Sequence, residues 1–301
     1  MHPDYEGDRW AVYNADTVEF LAGVPAGTID CAVFSPPFSD LFVYSNSERD
    51  MGNCASHAEF MEHYEFFAQN LAMAMKPGRM VCIHCIDLPT RKYRDGYIGL
   101  HDFPADLRAA HEKAGMIYHA KATIWKDPVV EMTRTKALGL LYKQIKKDSV
   151  MCRVGLPDYV IFMRMPGENP EAITHTPDDL PVARSAAKPG DKFVWQELAS
   201  PVWTTIDQGN VLNGRIARSE KDERHICPLQ LDVIERCLTL YSNPDDVVLD
   251  PFNGIGSTGY QALKMGRRYL GVELKPEYAA QAARFLAEAE ASRFTLFDTA
   301  G

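Results

Sequence analysis

The stretch VVLDPFNGIGSTG, residues 247–259, has the pattern of a strand end, a tight turn and the start of a helix. Gly254, Gly256 and Gly259 have the spacing G-x-G-x-x-G. Such a turn directs backbone N–H groups and the positive end of a helix toward a bound nucleotide. Glu273 ends the next predicted strand, about 20 residues beyond the first glycine, where its carboxylate can accept hydrogen bonds from a ribose. The stretch favours a nucleotide site over a turn whose small residues serve packing alone.

The segments around this stretch alternate between strand and helix patterns. β-rich runs occur at 10–14, 29–34, 79–84, 116–125, 158–163, 246–250 and 268–273, and helical patterns at 56–78, 104–115, 228–242, 258–266 and 276–293. In the first of these helices Ser56 and Glu59 have capping-box spacing, and the apolar face holds Phe60, Tyr64, Phe67 and Leu71. Strands separated by helices predict an α/β fold with a mixed, mostly parallel sheet and helices on both faces.

The composition indicates an ordinary globular protein. The chain has 301 residues, of which 46% are hydrophobic and 24% charged, so it can bury a sizeable core. No apolar run approaches the ~20 residues of a membrane span, and the start lacks a signal-peptide pattern. The seven cysteines are odd in number and scattered, which argues against a disulfide framework. We therefore expect a cytoplasmic protein with no membrane partner.

The histidines and cysteines show no pattern that predicts a metal site. Cys82 and Cys85 have C-x-x-C spacing, but they lie in an apolar strand without a second ligand pair nearby. The histidines also lack a metal-binding spacing, namely His57, His63, His101, His111 and His119. We therefore predict no metal.

A second unusual stretch is FSPPFSD, residues 34–40, where two prolines follow a buried strand. DPFNGIGST together with SPPF resembles the amino-methyltransferases of DNA, which transfer a methyl group from S-adenosylmethionine (SAM) to an exocyclic amine of cytosine or adenine. In that family the catalytic tetrapeptide is [DNS]-P-P-[YFW] and the cofactor turn contains P-F-x-G-x-G. Here the tetrapeptide comes first and the cofactor turn near the C-terminus. This order resembles the β-type permutation of the family.

The resemblance covers about residues 1–125 and 220–301, and it implies a set of functional residues. It implies a SAM-methyltransferase domain formed by 1–125 and 221–301, and a target-recognition insertion at 126–220. The catalytic residues are then Ser35, Pro36, Pro37 and Phe38. The residues that hold SAM are then Asp16, His225, Asp250, Phe252, Gly254, Gly256, Ser257, Thr258 and Glu273.

The chemistry of methyl transfer explains why the tetrapeptide has these residue types. The lone pair of an exocyclic amine is delocalised into the base, so the amine is a poor nucleophile. Acceptors that hold its hydrogens, here Ser35 Oγ and the carbonyl of Pro36, favour the tetrahedral and more nucleophilic nitrogen. The prolines make this segment rigid, which reduces the cost of orientation. Phe38 offers a face on which a flipped base can stack, and residues 39–53 are predicted to form a mobile loop that closes over it.

The identity of the target base stays open at this stage. A serine at the first position of the tetrapeptide is commoner in cytosine-N4 enzymes, and Asp or Asn in adenine-N6 enzymes. A serine hydroxyl can also bond cytosine N3, so we favour cytosine N4. Methylation at carbon 5 would need a cysteine nucleophile after the prolines, and none follows them.

Other classes of protein explain parts of the pattern. A nicotinamide dehydrogenase would have the glycine turn but not SPPF, and its fingerprint would come first. Glutamine methyltransferases of proteins also have a P-P-Y/F tetrapeptide, but their cofactor motif precedes it. An RNA or protein acceptor, or a binding protein without catalysis, also stays open.

The net charge of −9 argues mildly against a nucleic-acid partner, but residues 121–153 are locally basic. Eight Lys or Arg stand there against three Asp or Glu, and the basic residues are Lys121, Lys126, Arg134, Lys136, Lys143, Lys146, Lys147 and Arg153. Such a stripe suits phosphate contacts, although it can also be a solvated helix face. We predict double-stranded DNA as the partner. The resemblance also allows a homodimer.

Overall fold

The computed structural model describes residues 2–39, 50–54, 56–90, 92–135, 142, 146, 154–174, 192–212 and 228–298. The strands are β1 Tyr5–Glu6, β2 Trp10–Asn14, β3 Ile29–Phe34, β4 Met75–Ile86, β5 Leu88–Pro89, β6 Leu100–His101, β7 Ile117–Ile124, β8 Asp158–Arg164, β9 Val202–Trp203, β10 Val247–Asp250 and β11 Arg268–Glu273. The α-helices are α1 Thr17–Ala22, α2 His57–Ala74, α3 Lys92–Asp95, α4 Phe103–Lys113, α5 Pro128–Thr135, α6 Lys192–Leu198, α7 Leu231–Tyr241, α8 Ser257–Lys264 and α9 Pro276–Asp298.

Nine of these strands form one sheet in the order β1-β2-β11-β10-β3-β4-β8-β7-β9. The five strands from β2 to β4 in this order are parallel to one another, whereas β8 runs antiparallel to β4 and to β7. The carboxyl ends of the five parallel strands therefore meet at one edge of the sheet. In open α/β sheets, ligands bind at this edge.

Helices cover both faces of the sheet, because side chains alternate along each strand. In β3, Cys31 and Val33 pack on one face and Ala32 and Phe34 on the other. The first face is buried by apolar residues of α7, α8 and α9, such as Val233, Leu263 and Leu286. The second is buried by residues of α1, α2 and α4, such as Phe20, Phe67 and Leu107. The predicted α/β fold is thus confirmed.

Helix α2 shows how closely the sequence pattern sets local structure. Ser56 caps it and accepts a hydrogen bond at Oγ from the N–H of Glu59 at 3.2 Å. The predicted apolar face is fully buried, namely Phe60, Tyr64, Phe67 and Leu71. The pattern predicts that the KPG tripeptide at 76–78 ends this helix, but the helix stops at Ala74 and the tripeptide lies inside β4. Gly78 has φ +72°, and a Cβ there would lie 2.4 Å from the backbone nitrogen of Asn169.

The predicted insertion at 126–220 contributes strands to the main sheet. β8 pairs along its whole length with β4 between Met80↔Arg164 and Ile86↔Asp158. β9 adds a short parallel partner to β7. The predicted start of the insertion at residue 126 therefore does not coincide with an edge of the main sheet, because β8 and β9 belong to that sheet.

A buried arginine joins the amino ends of the strands. The guanidinium of Arg79 is 2% exposed and lies 2.9 Å from Asp246, 3.0 Å from Glu171 and 3.2 Å from Asp30. Lys76 completes the cluster at 2.6 Å from Asp30. Each buried carboxylate thus faces a cation, as burial of charge requires.

Among the described helices, none has the length and apolar character needed to cross a membrane.

Candidate active site

The two sequence motifs lie side by side because β3 and β10 are parallel neighbours, with Val248 opposite Cys31 and Leu249 opposite Ala32. The tetrapeptide leaves the carboxyl end of β3, and the glycine turn leaves that of β10. The hydroxyl of Thr258, just after the turn, donates to the carbonyl of Val33 at 3.3 Å. The ring centroids of Phe252 and Phe34 are 5.8 Å apart.

The glycines of the turn serve different physical purposes. Gly254 has φ +52°, and a Cβ there would meet nothing within 4 Å, so the space beside it is open to a ligand. Gly256 has φ +88° and caps α8, where a Cβ would lie 3.0 Å from that of Ala282. Gly259 allows close packing of α8, because a Cβ there would lie 2.4 Å from the ring of Tyr269. The first glycine therefore leaves room for a cofactor, and the third holds helix and strand together.

Glu273 lies at the carboxyl end of β11 and faces the glycine turn. Its carboxylate accepts hydrogen bonds from the N–H of Gly254 at 2.7 Å and from the N–H of Lys275 at 2.8 Å. Burial raises the pKa of Glu273 to about 7, although these two N–H groups act in the opposite direction. The negative charges of Asp250 and Asp50 add to the increase. A carboxylate with this pKa changes charge near neutral pH.

Asp250 ends β10 and is buried. It accepts a hydrogen bond at Oδ1 from the N–H of Phe252 at 3.0 Å. Burial raises its pKa to about 7, and the nearby hydroxyl of Thr258 and the N–H of Phe252 limit the increase. Asp250 thus fixes the shape of the turn from inside.

The other residues predicted to bind SAM occupy varied positions. Asp16 follows β2 at the same sheet edge and caps α1, accepting at Oδ1 from Val18 and Glu19. Ser257 and Thr258 are buried in the first turn of α8. The ring of Phe252 packs toward the core, 5.0 Å from that of Phe67. His225 lies outside the described residues.

These residues fit the cofactor that the resemblance implies. Open space beside Gly254, the start of α8 and the carboxylate of Glu273 meet at one edge of the sheet. Backbone N–H groups at a helix start suit polar groups, and the carboxylate suits ribose hydroxyls. The donor set therefore matches a nucleoside cofactor such as SAM.

Ser35 begins a hydrogen-bonded chain that the sequence did not predict. Its Oγ lies 3.1 Å from Nδ1 of His84, and Nε2 of the same ring lies 3.2 Å from Oδ2 of Asp158. His84 comes from β4 and Asp158 from β8, both adjacent in the sheet. Lys126 lies 2.7 Å from Asp158 Oδ1. His84 stands opposite Val160 and Asp158 opposite Ile86, so the two side chains are diagonal neighbours on adjacent strands, and only the strand order and register reveal the pair.

The positions of the hydrogens between Ser35, His84 and Asp158 follow from Asp158, the acceptor at the end of this series of hydrogen bonds. Burial by itself would raise the pKa of Asp158, but the hydrogen bonds from His84 and Lys126 and the positive charge of Lys126 outweigh it, so the pKa lies below its usual value. An ionised carboxylate only accepts, so Nε2 of His84 carries a hydrogen, and in the tautomer with this single hydrogen Nδ1 carries a lone pair. The Ser35 hydroxyl then donates to Nδ1. Its oxygen lone pairs are left for other donors.

The remaining tetrapeptide residues form a rigid edge beside this chain. Pro36 is buried, and Pro37 and Phe38 are partly buried. The ring of Phe38 lies 6.3 Å from that of His84 and 6.5 Å from that of Phe103, in an edge contact with the latter. Residues 40–49 of the predicted loop lie outside the described residues.

The predicted DNA-binding lysines differ in their surroundings. Lys126 is 12% exposed and forms ion pairs with Asp158 at 2.7 Å and with Glu131 at 3.5 Å. Its positive charge is therefore neutralised by carboxylates of the protein itself. Lys121 is exposed, with its Nζ 4.7 Å from the ring centroid of Tyr159. Lys146 is exposed. Arg134 is in α5, and Lys136, Lys143, Lys147 and Arg153 lie outside the described residues.

Solved structures share this arrangement of the chain. A DNA modification methylase of Thermus thermophilus complexed with S-adenosyl-L-methionine is 20% identical, with a TM-score of 0.64 over 94% of this chain and 96% of that one. The cytosine-N4-specific PvuII DNA methyltransferase is 19% identical, with a TM-score of 0.63 over 94% of this chain and 88% of that one. At sequence identities of 19% and 20%, this structural similarity supports the fold alone.

Sequence comparisons establish the family. The Type II methyltransferase M1.MboII of Moraxella bovis is 32% identical over 90% of this chain and 94% of its own length. The family model N6_N4_Mtase, described as DNA methylase, matches residues 29–284, which is most of the chain. The chain therefore belongs to the N4/N6 family of SAM-dependent DNA methyltransferases.

Proposed function

We propose that this enzyme transfers a methyl group to N4 of a cytosine that is flipped out of double-stranded DNA. The observation that carries the proposal is the parallel pairing of β3 with β10, since it sets the S-P-P-F segment beside the glycine turn. We place both the cofactor and the base at this edge of the sheet. SAM would supply a methyl group on a sulfonium: the N–CH3 bond forms as the S–CH3 bond breaks, the neutral thioether is the leaving group, and the amine then loses one proton to solvent, so no covalent enzyme intermediate is required.

We propose that Gly254, Ser257 and Glu273 hold the cofactor. The open space beside Gly254 supports a role in admitting it, and the carboxylate of Glu273 is suited to the ribose hydroxyls. Asp250 and Phe252 then act mainly by shaping the turn, as their hydrogen bond and core packing indicate. Asp16 and His225 stay predicted contacts of SAM.

Ser35 and the carbonyl of Pro36 act as acceptors for the amine hydrogens of the base. Because the Ser35 hydroxyl donates to His84, its oxygen faces the amine as an acceptor. Holding these hydrogens shifts the nitrogen toward a tetrahedral shape and frees its lone pair for the methyl group. Pro37 fixes the backbone, and Phe38 stacks against the base. His84 and Asp158 are positioning residues that act through Ser35.

The choice of cytosine N4 depends on the serine in the tetrapeptide. The hydroxyl hydrogen is used by His84 in this arrangement, so a hydrogen bond from Ser35 to cytosine N3 contributes nothing to the choice. An acceptor at Ser35 suits the amine of adenine as well. Adenine N6 is thus the second candidate, and the family includes both reactions by its name.

We place the DNA contacts on exposed lysines of residues 121–153, without Lys126. Lys121 and Lys146 are exposed and can reach phosphates. The remaining cations of this proposed surface are Arg134, Lys136, Lys143 and Lys147. The interval 126–220, apart from β8 and β9, is the proposed target-recognition region. A homodimer stays a prediction.

The experiment that tests the function is a transfer assay with radiolabelled SAM and mixed-sequence duplex DNA. The product is digested to nucleosides and separated by chromatography. Label in N4-methyldeoxycytidine supports the proposal, and label in N6-methyldeoxyadenosine replaces it with the second candidate. Parallel reactions contain RNA or protein, and label confined to either of them would overturn the DNA assignment.

Variants in the tetrapeptide test the assigned roles. Ser35→Ala and Phe38→Ala should each lower kcat by at least about 100-fold, because positioning in the transition state is lost. The affinity for SAM, measured by calorimetry, should stay close to that of the wild type. Full activity of Ser35→Ala would remove it from the mechanism.

A further inference from the structure

Three side chains outside the methyl-transfer site converge on one point. Nε2 of His57 lies 3.0 Å from Nε2 of His101, and 2.9 Å from Oδ2 of Asp106. Nε2 of His101 lies 2.5 Å from the same oxygen. His57 begins α2, His101 is in β6, and Asp106 is in the first turn of α4. Their convergence is unexpected, because nothing in their spacing along the chain predicts a metal site.

The hydrogen bond on the far side of His57 indicates which of its atoms has a lone pair. Its Nδ1 lies 3.0 Å from Oγ of Ser39. When Nδ1 carries the hydrogen and donates to this hydroxyl, Nε2 of the neutral ring has a lone pair directed at His101 and Asp106. Metal-binding histidines commonly have this arrangement, with the second ring nitrogen held by an outer hydrogen bond.

The convergent atoms are accessible from one side. His57, His101 and Asp106 are 31–37% exposed and line a cavity of about 360 Å³. The cavity is also lined by Glu65 and Lys113, which form an ion pair at 2.6 Å. An ion at the point of convergence would thus have three protein ligands and an open side for water, as in many zinc sites.

We propose that His57, His101 and Asp106 bind one divalent transition-metal ion of the zinc type. Two imidazoles and one carboxylate suit Zn²⁺ and its neighbours better than Mg²⁺ or Ca²⁺, which prefer oxygen ligands. At metal–ligand distances of ~2.0–2.2 Å, tetrahedral ligand atoms lie about 3.3 Å apart. The observed separations of 2.9 and 3.0 Å require shifts of only a few tenths of an ångström, and the 2.5 Å between His101 and Asp106 must increase by about 0.8 Å, which a small rotation of these partly exposed side chains supplies.

The ion would also stabilise the segment that follows the tetrapeptide. Ser39 is buried, has φ +53° and is hydrogen-bonded to His57, so the metal would fix the position of the residue next to Phe38 through one ring. A left-handed conformation at a serine is unfavourable by itself and needs such support. The site therefore lies beside the proposed base pocket, and the ion would hold this segment in place.

A second group of acidic residues differs from this one by the presence of an internal cation. The carboxylates of Asp30, Glu171 and Asp246 also lie close together, but the guanidinium of Arg79 stands among them and satisfies their charge. The group formed by His57, His101 and Asp106 has no such internal cation at its centre among the described residues.

The experiment uses the full chain, stripped of metal with a chelator and then titrated with Zn²⁺, Co²⁺, Mg²⁺ or Ca²⁺ in separate calorimetric runs. We expect one Zn²⁺ per chain and no heat from Mg²⁺ or Ca²⁺. Co²⁺ should give visible absorption bands of a low-coordinate nitrogen and oxygen site. This spectrum is recorded on the wild-type protein, so it does not depend on the folding of any variant.

Variants identify the ligands. His101→Ala and Asp106→Asn should each weaken Zn²⁺ binding by at least about 10-fold and abolish the increase of Tm that Zn²⁺ gives the wild type. His119→Ala, which changes an exposed histidine of β7, is the control and should bind Zn²⁺ like the wild type. The proposal is overturned if the wild type binds no Zn²⁺, or if His101→Ala binds it with unchanged affinity. These readouts are independent of the methyl-transfer assay.

Discussion

Oγ of Ser35 lies 3.1 Å from Nδ1 of His84, and the opposite nitrogen of that ring faces an ionised Asp158. When the ring carries its single hydrogen on the side of Asp158, the Ser35 hydroxyl donates to Nδ1 and the serine oxygen is left as an acceptor. We therefore expect His84→Ala to lower kcat by about 10- to 100-fold with little change in SAM affinity, because the hydroxyl loses its fixed orientation. Single-turnover kinetics and calorimetry measure the two quantities.

The conservative variant His84→Asn separates positioning from a general structural role. Its Oδ1 can replace Nδ1 as an acceptor, so it should retain more activity than His84→Ala at similar Tm. Asp158→Asn should lower kcat as well, since it no longer fixes the ring tautomer. Equal activity of all three variants and the wild type would show that the chain of hydrogen bonds is irrelevant to catalysis.

The raised pKa values of Glu273 and Asp250, both about 7, predict pH-dependent cofactor binding. Below pH 7 the carboxyl of Glu273 is protonated and accepts hydrogen bonds from a ribose less well, and protonated Asp250 holds the N–H of Phe252 in the turn less firmly. SAM affinity should therefore increase between pH 6 and pH 8 and then level off. Calorimetry across this range measures it, and Glu273→Gln should bind weakly with a flatter profile. A wild-type affinity that is constant over this range would contradict the assignment.

Two glycines of the same turn should respond differently to alanine. Gly254→Ala adds a methyl group to open space at φ +52°, so its free energy of unfolding should fall by only about 1–2 kcal/mol while SAM affinity falls strongly. Gly259→Ala directs a methyl group at the ring of Tyr269 and should lose about 1–3 kcal/mol of stability, with near-normal affinity in the folded protein. Urea unfolding and calorimetry compare them. The reverse pattern would show that the open space does not admit the cofactor.

Arg79 should be important for stability because it neutralises several buried carboxylates. Arg79→Met leaves Asp30 and Asp246 without their buried cation, and the free energy of unfolding should fall by about 3–5 kcal/mol. Arg108→Met removes an exposed pair with Glu112 at 3.6 Å and should change it by less than about 1 kcal/mol. If urea unfolding gave the same decrease in the free energy of unfolding for Arg79→Met and Arg108→Met, burial of the charge cluster would be unimportant for stability.

Charge reversal of Lys143, Lys146 and Lys147 to Glu should weaken DNA binding without changing SAM binding. For each DNA phosphate that no longer meets a lysine, the slope of log affinity against log salt should become shallower by about 0.9. Fluorescence anisotropy with a labelled duplex at several salt concentrations measures both the affinity and this slope. An unchanged DNA affinity would remove this stripe from the DNA-binding surface.

The sequence by itself determined the local elements and the family. Strand β11 has the predicted limits, and the apolar face of α2 is buried as its spacing predicts, because periodicity records which side of an element faces the core. The motifs S-P-P-F and D-P-F-N-G-I-G are contiguous, so they could be recognised before any contact between them was known. The predicted end of α2 at residues 76–78 was wrong, because Gly78 lies in β4, where the strand passes close to the backbone of Asn169.

Tertiary structure alone decided which side chains meet. His84 is 49 residues from Ser35 and 74 residues from Asp158, and they become neighbours only through the order of β3, β4 and β8. The same holds for His57, His101 and Asp106, which come from three different elements. Local patterns record the burial of each element, whereas contacts between distant side chains depend on strand order and helix packing. The sequence therefore determined the cofactor turn and the tetrapeptide, and the fold added the residues that position Ser35.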